Sequence, residues 1–177
     1  MKKLILLFIT FLSMNVIFAQ TENSKKQCFD NIEKEKLAEE ERQKEAEEKK
    51  KWQNILYNAQ RGNLQAQKEI AWKYYNEKNL EQALNWFQMA ANRGDAESQY
   101  CAGMLLSDRY TASKIDFFLK SANQGHKLAQ FEIGKRYFEG NGVSKSKKEA
   151  KKWLEKAAEQ GVEKANQYMI ENKLKKK

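Results

Sequence analysis

Positions four, eight and twelve after each of three recurring glycines hold small or apolar residues: Ala66, Ile70 and Tyr74, then Ser98, Ala102 and Leu106, then Ala129, Ile133 and Tyr137. At about 100° per residue these positions share one side of a helix, which predicts a buried stripe. A second stripe, three, six, ten and thirteen residues after the same glycines, is mixed: Gln65, Lys68, Trp72 and Tyr75; Glu97, Tyr100, Met104 and Ser107; Leu128, Phe131, Lys135 and Phe138. Four glycines close a shared phrase, Ala59-Gln60-Arg61-Gly62, Ala91-Asn92-Arg93-Gly94, Ala122-Asn123-Gln124-Gly125 and Ala158-Glu159-Gln160-Gly161. They stand 32, 31 and 36 residues apart, a period that belongs to helical solenoids.

Each unit reads as helix, connection, helix. Glycine reaches the left-handed conformation that ends a helix without a steric penalty, so the phrase is a C-terminal stop. The first helices of the units are predicted over Leu64 to Asn76, 96 to 107 and 127 to 139; the second over Glu81 to Asn92, 112 to 123 and 146 to 160. Ala71, Gly103 and Gly134, nine residues after a glycine, are expected to admit a neighbouring helix closely, with Trp86, Phe117 and Trp153 filling the gap. A further column, Gln67, Gln99, Gln130 and Asn166, follows the small residue that opens each core stripe. The fold class is all-α, an α-solenoid of stacked antiparallel helix pairs preceded by a charged helix.

Before the repeats, Met1-Lys2-Lys3 and the apolar run from Leu4 to Leu12, continuing to Ala19, have the layout of a secretory signal peptide over residues 1–19. Cleavage is expected after Ala19, which places the protein outside the cytoplasm, periplasmic or secreted; left uncleaved, the leader would instead anchor it to a membrane. Residues 20–32 read as a flexible spacer. Residues 33–51 are almost wholly Glu, Lys, Ala and Leu, with Glu40 and Lys44, Glu45 and Lys49, and Glu47 and Lys51 spaced for ion pairs on a solvated helix. Trp52, Ile55, Leu56 and Ala59 make residues 52–62 a half-repeat that caps the three repeats of residues 63–161. Ala165, Tyr168, Met169 and Ile170 make residues 162–177 a C-terminal cap with a basic tail.

The last unit has the string Ala129, Ile133-Gly134, Tyr137, Gly140-Asn141-Gly142-Val143, Ala150, Trp153-Leu154, Lys156-Ala157-Ala158, Gln160-Gly161. It resembles the Sel-one-like repeat, a relative of the tetratricopeptide repeat. Ser146 and Leu154 depart from it, where that family usually shows Asp and often an aromatic. The first two units keep Trp86-Phe87 with Ala90-Ala91 and Phe117-Phe118 with Ser121-Ala122, yet lack the Gly-x-Gly-Val turn and are shorter. The resemblance implies a right-handed α-solenoid and a scaffolding or adaptor role. By analogy with exported members, it also leaves open an envelope enzyme or its direct regulator.

Charge changes this picture locally. The net +9 is concentrated in the repeats and tail, and residues 145–177 hold eleven Lys against five Glu. Lys145, Lys147, Lys148, Lys151 and Lys152 form a basic patch that is either a solvated face or a binder of anionic lipid or glycan. No recognition-helix or aromatic-platform motif accompanies the lysines, so nucleic acid is not expected.

Chemistry is sparse. His126 is the sole histidine and is expected at the start of a helix, and neither it nor Cys28 and Cys101 has partners at metal-ligand spacing. Cys101 reads as a small buried thiol. Cys28 is left open between pairing with it and an intermolecular bond. Gly140-Asn141-Gly142 reads as a turn, since no strand precedes it and no Gly-Lys-Ser/Thr follows. No catalytic residue, cofactor or metal is expected. Of the mixed stripe, Phe131 and Phe138 are assigned to packing, and Lys68, Trp72, Tyr75, Met104 and Lys135 to binding a protein or peptide.

Overall fold

The computed structural model describes the backbone of residues 2–174; among residues 2–19 only the Met14 side chain is described. Met14 apart, the side chains of the expected leader therefore lie outside the described residues, as do the last three lysines. Two units are distinguished, Met1–Trp52 and Gln53–Lys177.

Helix α1 runs Lys2–Gln60. Residues 20–32, expected as a flexible spacer, are helical within it. The reason is local: from Met1 to Arg61 the chain contains neither glycine nor proline, so nothing interrupts the hydrogen-bond ladder before Gly62. Among its described residues the ion pairs are Glu22 with Lys25 and Glu39 with Arg42, at i,i+3 and exposed, rather than the i,i+4 pairs expected from the sequence. Among the described residues no helix is long and apolar enough to cross a membrane.

The second unit continues with α2 (Leu64–Asn76), α3 (Leu80–Asn92), α4 (Ala96–Leu105), α5 (Thr111–Asn123), α6 (Lys127–Glu139), α7 (Lys147–Glu159) and α8 (Glu163–Glu171). Each of α2 to α8 packs on its neighbours in sequence, the arrangement of a solenoid. Gly62, Gly94, Gly125 and Gly161 all take left-handed φ between 82° and 95°, as a helix stop requires. Side-chain caps start the next helices. Asn63 accepts from the Ala66 N–H, Asp95 from Ser98, His126 from Ala129 and Ser146 from Glu149. Ser146 is thus a cap rather than the first residue of α7. Helix α4 stops two residues earlier than expected because Leu106 is extended, and Asp108–Tyr110 then forms a 3-10 turn.

The predicted core stripe is buried at Ala66, Ile70, Ser98, Ala102, Leu106, Ala129 and Ile133, with Tyr74 and Tyr137 packed at its margin. The interlocking of small with large occurs one residue later than expected. A Cβ on Gly103 would stand 2.8 Å from the Phe118 ring, and one on Gly134 2.7 Å from Leu154 Cγ. The fully enclosed side chains of the second helices are accordingly Phe87, Phe118 and Leu154, whereas Trp86 and Phe117 are half-buried. One residue is a turn of about 100° on a helix, enough to send the neighbouring ring outward.

The glutamine column stitches the layers together. Gln67, Gln99 and Gln130 each donate Nε2 to the carbonyl of Ala59, Ala91 and Ala122, eight residues back, at 3.0, 3.2 and 3.2 Å. Their side-chain oxygens face the next repeat: Gln124 donates to Gln99 at 2.8 Å, and Gln160 to Gln130 at 2.8 Å and to the Gly125 carbonyl at 3.0 Å. The Gln of the last two stop phrases, Gln124 and Gln160, is therefore an inter-repeat clamp as well as part of a turn.

Candidate functional site

The mixed stripe divides by what each residue meets. Six residues after each glycine, the side chain reaches the next repeat's first helix or the residue that caps it. Lys68 Nζ lies 3.2 Å from Asp95 Oδ1 and 2.7 Å from Glu97 Oε2. Tyr100 stacks on His126 with ring centroids 4.8 Å apart, and Phe131 meets Tyr168 of α8 edge-on at 6.1 Å. Phe138 also packs edge-on against Tyr168, whose hydroxyl donates to Glu139 at 3.1 Å.

Electrostatics around Lys68 are tightly coupled. Burial by itself would lower the Lys68 ammonium, but hydrogen bonds to Glu97 and Asp95 outweigh it and leave the pKa raised. Burial alone would raise Asp95, yet the Ser98 hydroxyl and N–H, followed by Lys68, hold that carboxyl below its ordinary value. Lys68, assigned to binding from the sequence, is thus an inter-repeat tie with a half-buried stem.

Trp72 lies on the same helix. Its ring packs edge-on against Phe87 at 5.2 Å on the core side and Tyr75 at 5.4 Å on the outer side. A groove of about 610 Å³ opens here, lined by Gln65, Lys68, Glu69, Trp72, Lys73, Asn76, Glu77 and Glu97. It therefore includes two of the five predicted binding residues, with exposed Tyr75 against its tryptophan. Met104 is exposed on α4, and Lys135 lies over the Phe131 ring and 3.8 Å from Glu132 on α6; neither lines the groove. Glu69, which the sequence reading passed over, is exposed on the groove wall. A carboxylate one residue beyond Lys68 falls about 100° off the mixed stripe, so periodicity does not single it out.

The groove offers amides, carboxylates and an ammonium around an indole, a set suited to holding a peptide. Among the described residues no group of three His, Cys, Asp or Glu is placed to hold a metal. His126 is engaged as a cap, its Nδ1 accepting from the Ala129 N–H at 3.3 Å. Cys28 and Cys101 are both free thiols. The basic patch lies exposed at the start of α7 and along it. Lys151 pairs with Glu155 and Lys152 with Glu149, at 3.7 and 3.9 Å, while Lys145 lies over the Phe138 ring.

The sequence profile of the Sel1 repeat matches residues 77–95 and 127–162, the first and last units. The crystal structure of a Sel1 repeat protein from Oxalobacter formigenes superposes with a TM-score of 0.59 at 30% identity, over 67% of this chain and 96% of that one. The chain belongs to the Sel1 repeat family. A protective antigen of uropathogenic Escherichia coli strains with the same repeat fold is 34% identical, with a TM-score of 0.58, over 64% of this chain and 26% of that one. A sel1-like repeat-containing protein of Acanthamoeba polyphaga mimivirus is 32% identical over 102 residues, 54% of this chain, which spans only 18% of that relative's length. Sel1 repeat proteins are generally helical scaffolds for protein interaction, and the family is generally non-catalytic.

Proposed function

We propose that this Sel1 repeat protein is an exported adaptor that holds a peptide segment of another protein against the first helices of its repeats. The observation that supports this reading is the groove of about 610 Å³ around Trp72, with Gln65, Glu69 and Asn76 available to the peptide's polar groups. A groove lined by one aromatic and several amide and carboxylate groups matches the anatomy of protein recognition sites, in which a desolvated ring is surrounded by polar rim. Export rests on the basic start and apolar run of residues 1–19.

A photo-crosslinking amino acid placed at Asn76, in cells that express the full chain, is expected to capture one protein, and Glu69→Arg is expected to reduce that adduct at least tenfold. Adducts formed only from a crosslinker at Lys148, and lost in high salt, would replace this reading with binding through the lysine face. N-terminal sequencing of the mature protein tests export; it is expected to begin at Gln20.

A further inference from the structure

The second helices of successive repeats are covered unequally. In the last repeat the connection between α6 and α7 folds back on α5. Gly142, at φ 73°, lies so close to Thr111 Cγ2 that any Cβ would collide, and such a Cβ would stand 3.0 Å from Ile115 Cγ1. Val143 packs into the cluster that contains Ile115, Phe118 and Trp153. Covered in this way, Ile115 is only 6% exposed.

The glycines Gly94 and Gly125 are 31 residues apart, so Leu80 and Leu84 of α3 are the counterparts of Thr111 and Ile115. The connection that would cover them, from Leu106 to Tyr110, is shorter and has no Gly-x-Gly-Val turn. Leu80 is 48% exposed, Leu84 is half-buried, and Tyr110 is 54% exposed. Between α3 and α5 the result is a groove of about 490 Å³, lined among others by Leu84, Gln88, Leu106, Tyr110, Ser113 and Phe117. No lining residue is charged, in a chain with 32% charged residues. A charged side chain entering there would lose water without gaining a counter-ion, whereas a neutral segment would not.

We infer that the groove between α3 and α5 is a second docking site, separate from the one around Trp72. Its occupant is an uncharged loop of a partner protein, a Gly-x-Gly turn followed by a β-branched aliphatic residue. The loop seats on Leu80 and Leu84 as the Gly140–Val143 turn of this chain seats on Thr111 and Ile115. The chain thus carries its own example of the bound form one repeat further on. Glycines allow the loop backbone to lie against the helix, and the aliphatic side chain enters between Leu84 and Phe117.

The test uses the full chain with a cyclic hexapeptide containing Gly-Asn-Gly-Val, and the same ring with Lys in place of Val, followed by methyl NMR. The valine peptide is expected to shift the Leu84 and Leu106 methyl signals saturably and to bind at least tenfold more tightly than the lysine peptide. Insertion of Gly-Asn-Gly-Val between Ser107 and Asp108 should fill the groove in cis and weaken peptide binding at least tenfold. Ser113→Arg, at an exposed position, should do the same without touching the core, and decides the matter if the insertion disturbs folding. No saturable shift, equal binding of the two peptides, or undiminished binding to Ser113→Arg overturns the proposal.

Discussion

The Gln160 side-chain amide donates to the side-chain oxygen of Gln130 at 2.8 Å, and Gln130 passes its own amide back to the Ala122 carbonyl at 3.2 Å. Gln124 and Gln99 repeat the relationship one layer earlier. In the first layer the position of Gln124 and Gln160 is held by Arg93, and the buried side-chain oxygen of Gln67 has no hydrogen-bond partner. Instead the Arg93 guanidinium lies over Gly62, 2.6 Å from where a Cβ would stand.

Arg93→Gln should therefore complete the ladder. A glutamine there can donate to Gln67, and the gain expected from one net hydrogen bond is about 1 kcal/mol. Conversely Gln130→Leu removes two bonds of the ladder, while the Ala122 carbonyl keeps the Gly125 N–H and the Gln160 amide keeps the Gly125 carbonyl, so it should cost about 1 kcal/mol for each lost bond. Urea unfolding of the two variants should displace the midpoint in opposite directions; a shift to lower urea for Arg93→Gln would contradict the ladder.

His126 gives the fold an acid-sensitive cap. Burial holds its pKa below the ordinary 6.5, partly offset by Glu97 and Asp95, with Lys127 adding to the depression. The native state therefore favours the neutral ring, whose Nδ1 accepts from Ala129; the protonated ring can no longer accept and places a positive charge at a helix N-terminus. Because the folded value is depressed, the stability is present above the unfolded pKa and is lost as pH falls below it toward the folded value. Between pH 7.5 and 5.5 the wild-type chain should lose stability, by no more than the ~1 kcal/mol usual for a cap. His126→Asn keeps an acceptor without a titration, so its melting temperature should change less over the same interval. Equal pH dependence in the two proteins would remove His126 from the account.

Gly134→Ala tests the closest approach between helices. Alanine would favour α6 by at most about 1 kcal/mol through helix propensity, while overpacking typically costs about 1–3 kcal/mol. The added Cβ would meet Leu154 Cγ at 2.7 Å and the Leu154 backbone nitrogen at 3.2 Å, and the backbone has little room to yield. Overpacking should win, with a net loss of about 1–2 kcal/mol by chemical denaturation. A neutral or stabilised variant would show that α6 and α7 are less tightly apposed.

The two thiols should differ in reactivity. Burial pushes the Cys101 thiol up to about 12, with smaller contributions from Glu97 and Asp95, so almost none is thiolate at pH 8. Cys28 is exposed. Treating the folded chain with a thiol-exchange reagent should release a single rapid equivalent, from Cys28, with the second appearing only on unfolding. The thiol expected to be buried is half-buried, and rapid modification of Cys101 in the folded state would contradict even that partial cover.

The sequence by itself determined the helices, their stops and their repeat. These depend on signals within one turn or two: glycine at left-handed φ, a polar cap, and apolar residues every third or fourth position. Helix α2 accordingly spans the predicted residues, and the core stripe at Ile70, Ala102 and Ile133 is buried as the pattern required. Tertiary structure alone decided what the other side of each helix does. Lys68, on the mixed stripe, is drawn to Asp95, 27 residues away; the glutamine column, a repeat feature in the sequence, joins carbonyls and amides across layers. It also decided that Phe118 and Leu154, rather than their neighbours, enter the gaps beside Gly103 and Gly134. Periodicity specifies a face only to within about a residue, and a rotation of about 100° separates a buried ring from a half-exposed one. That rotation is set by how two helices fit each other, which exists only once both are in place.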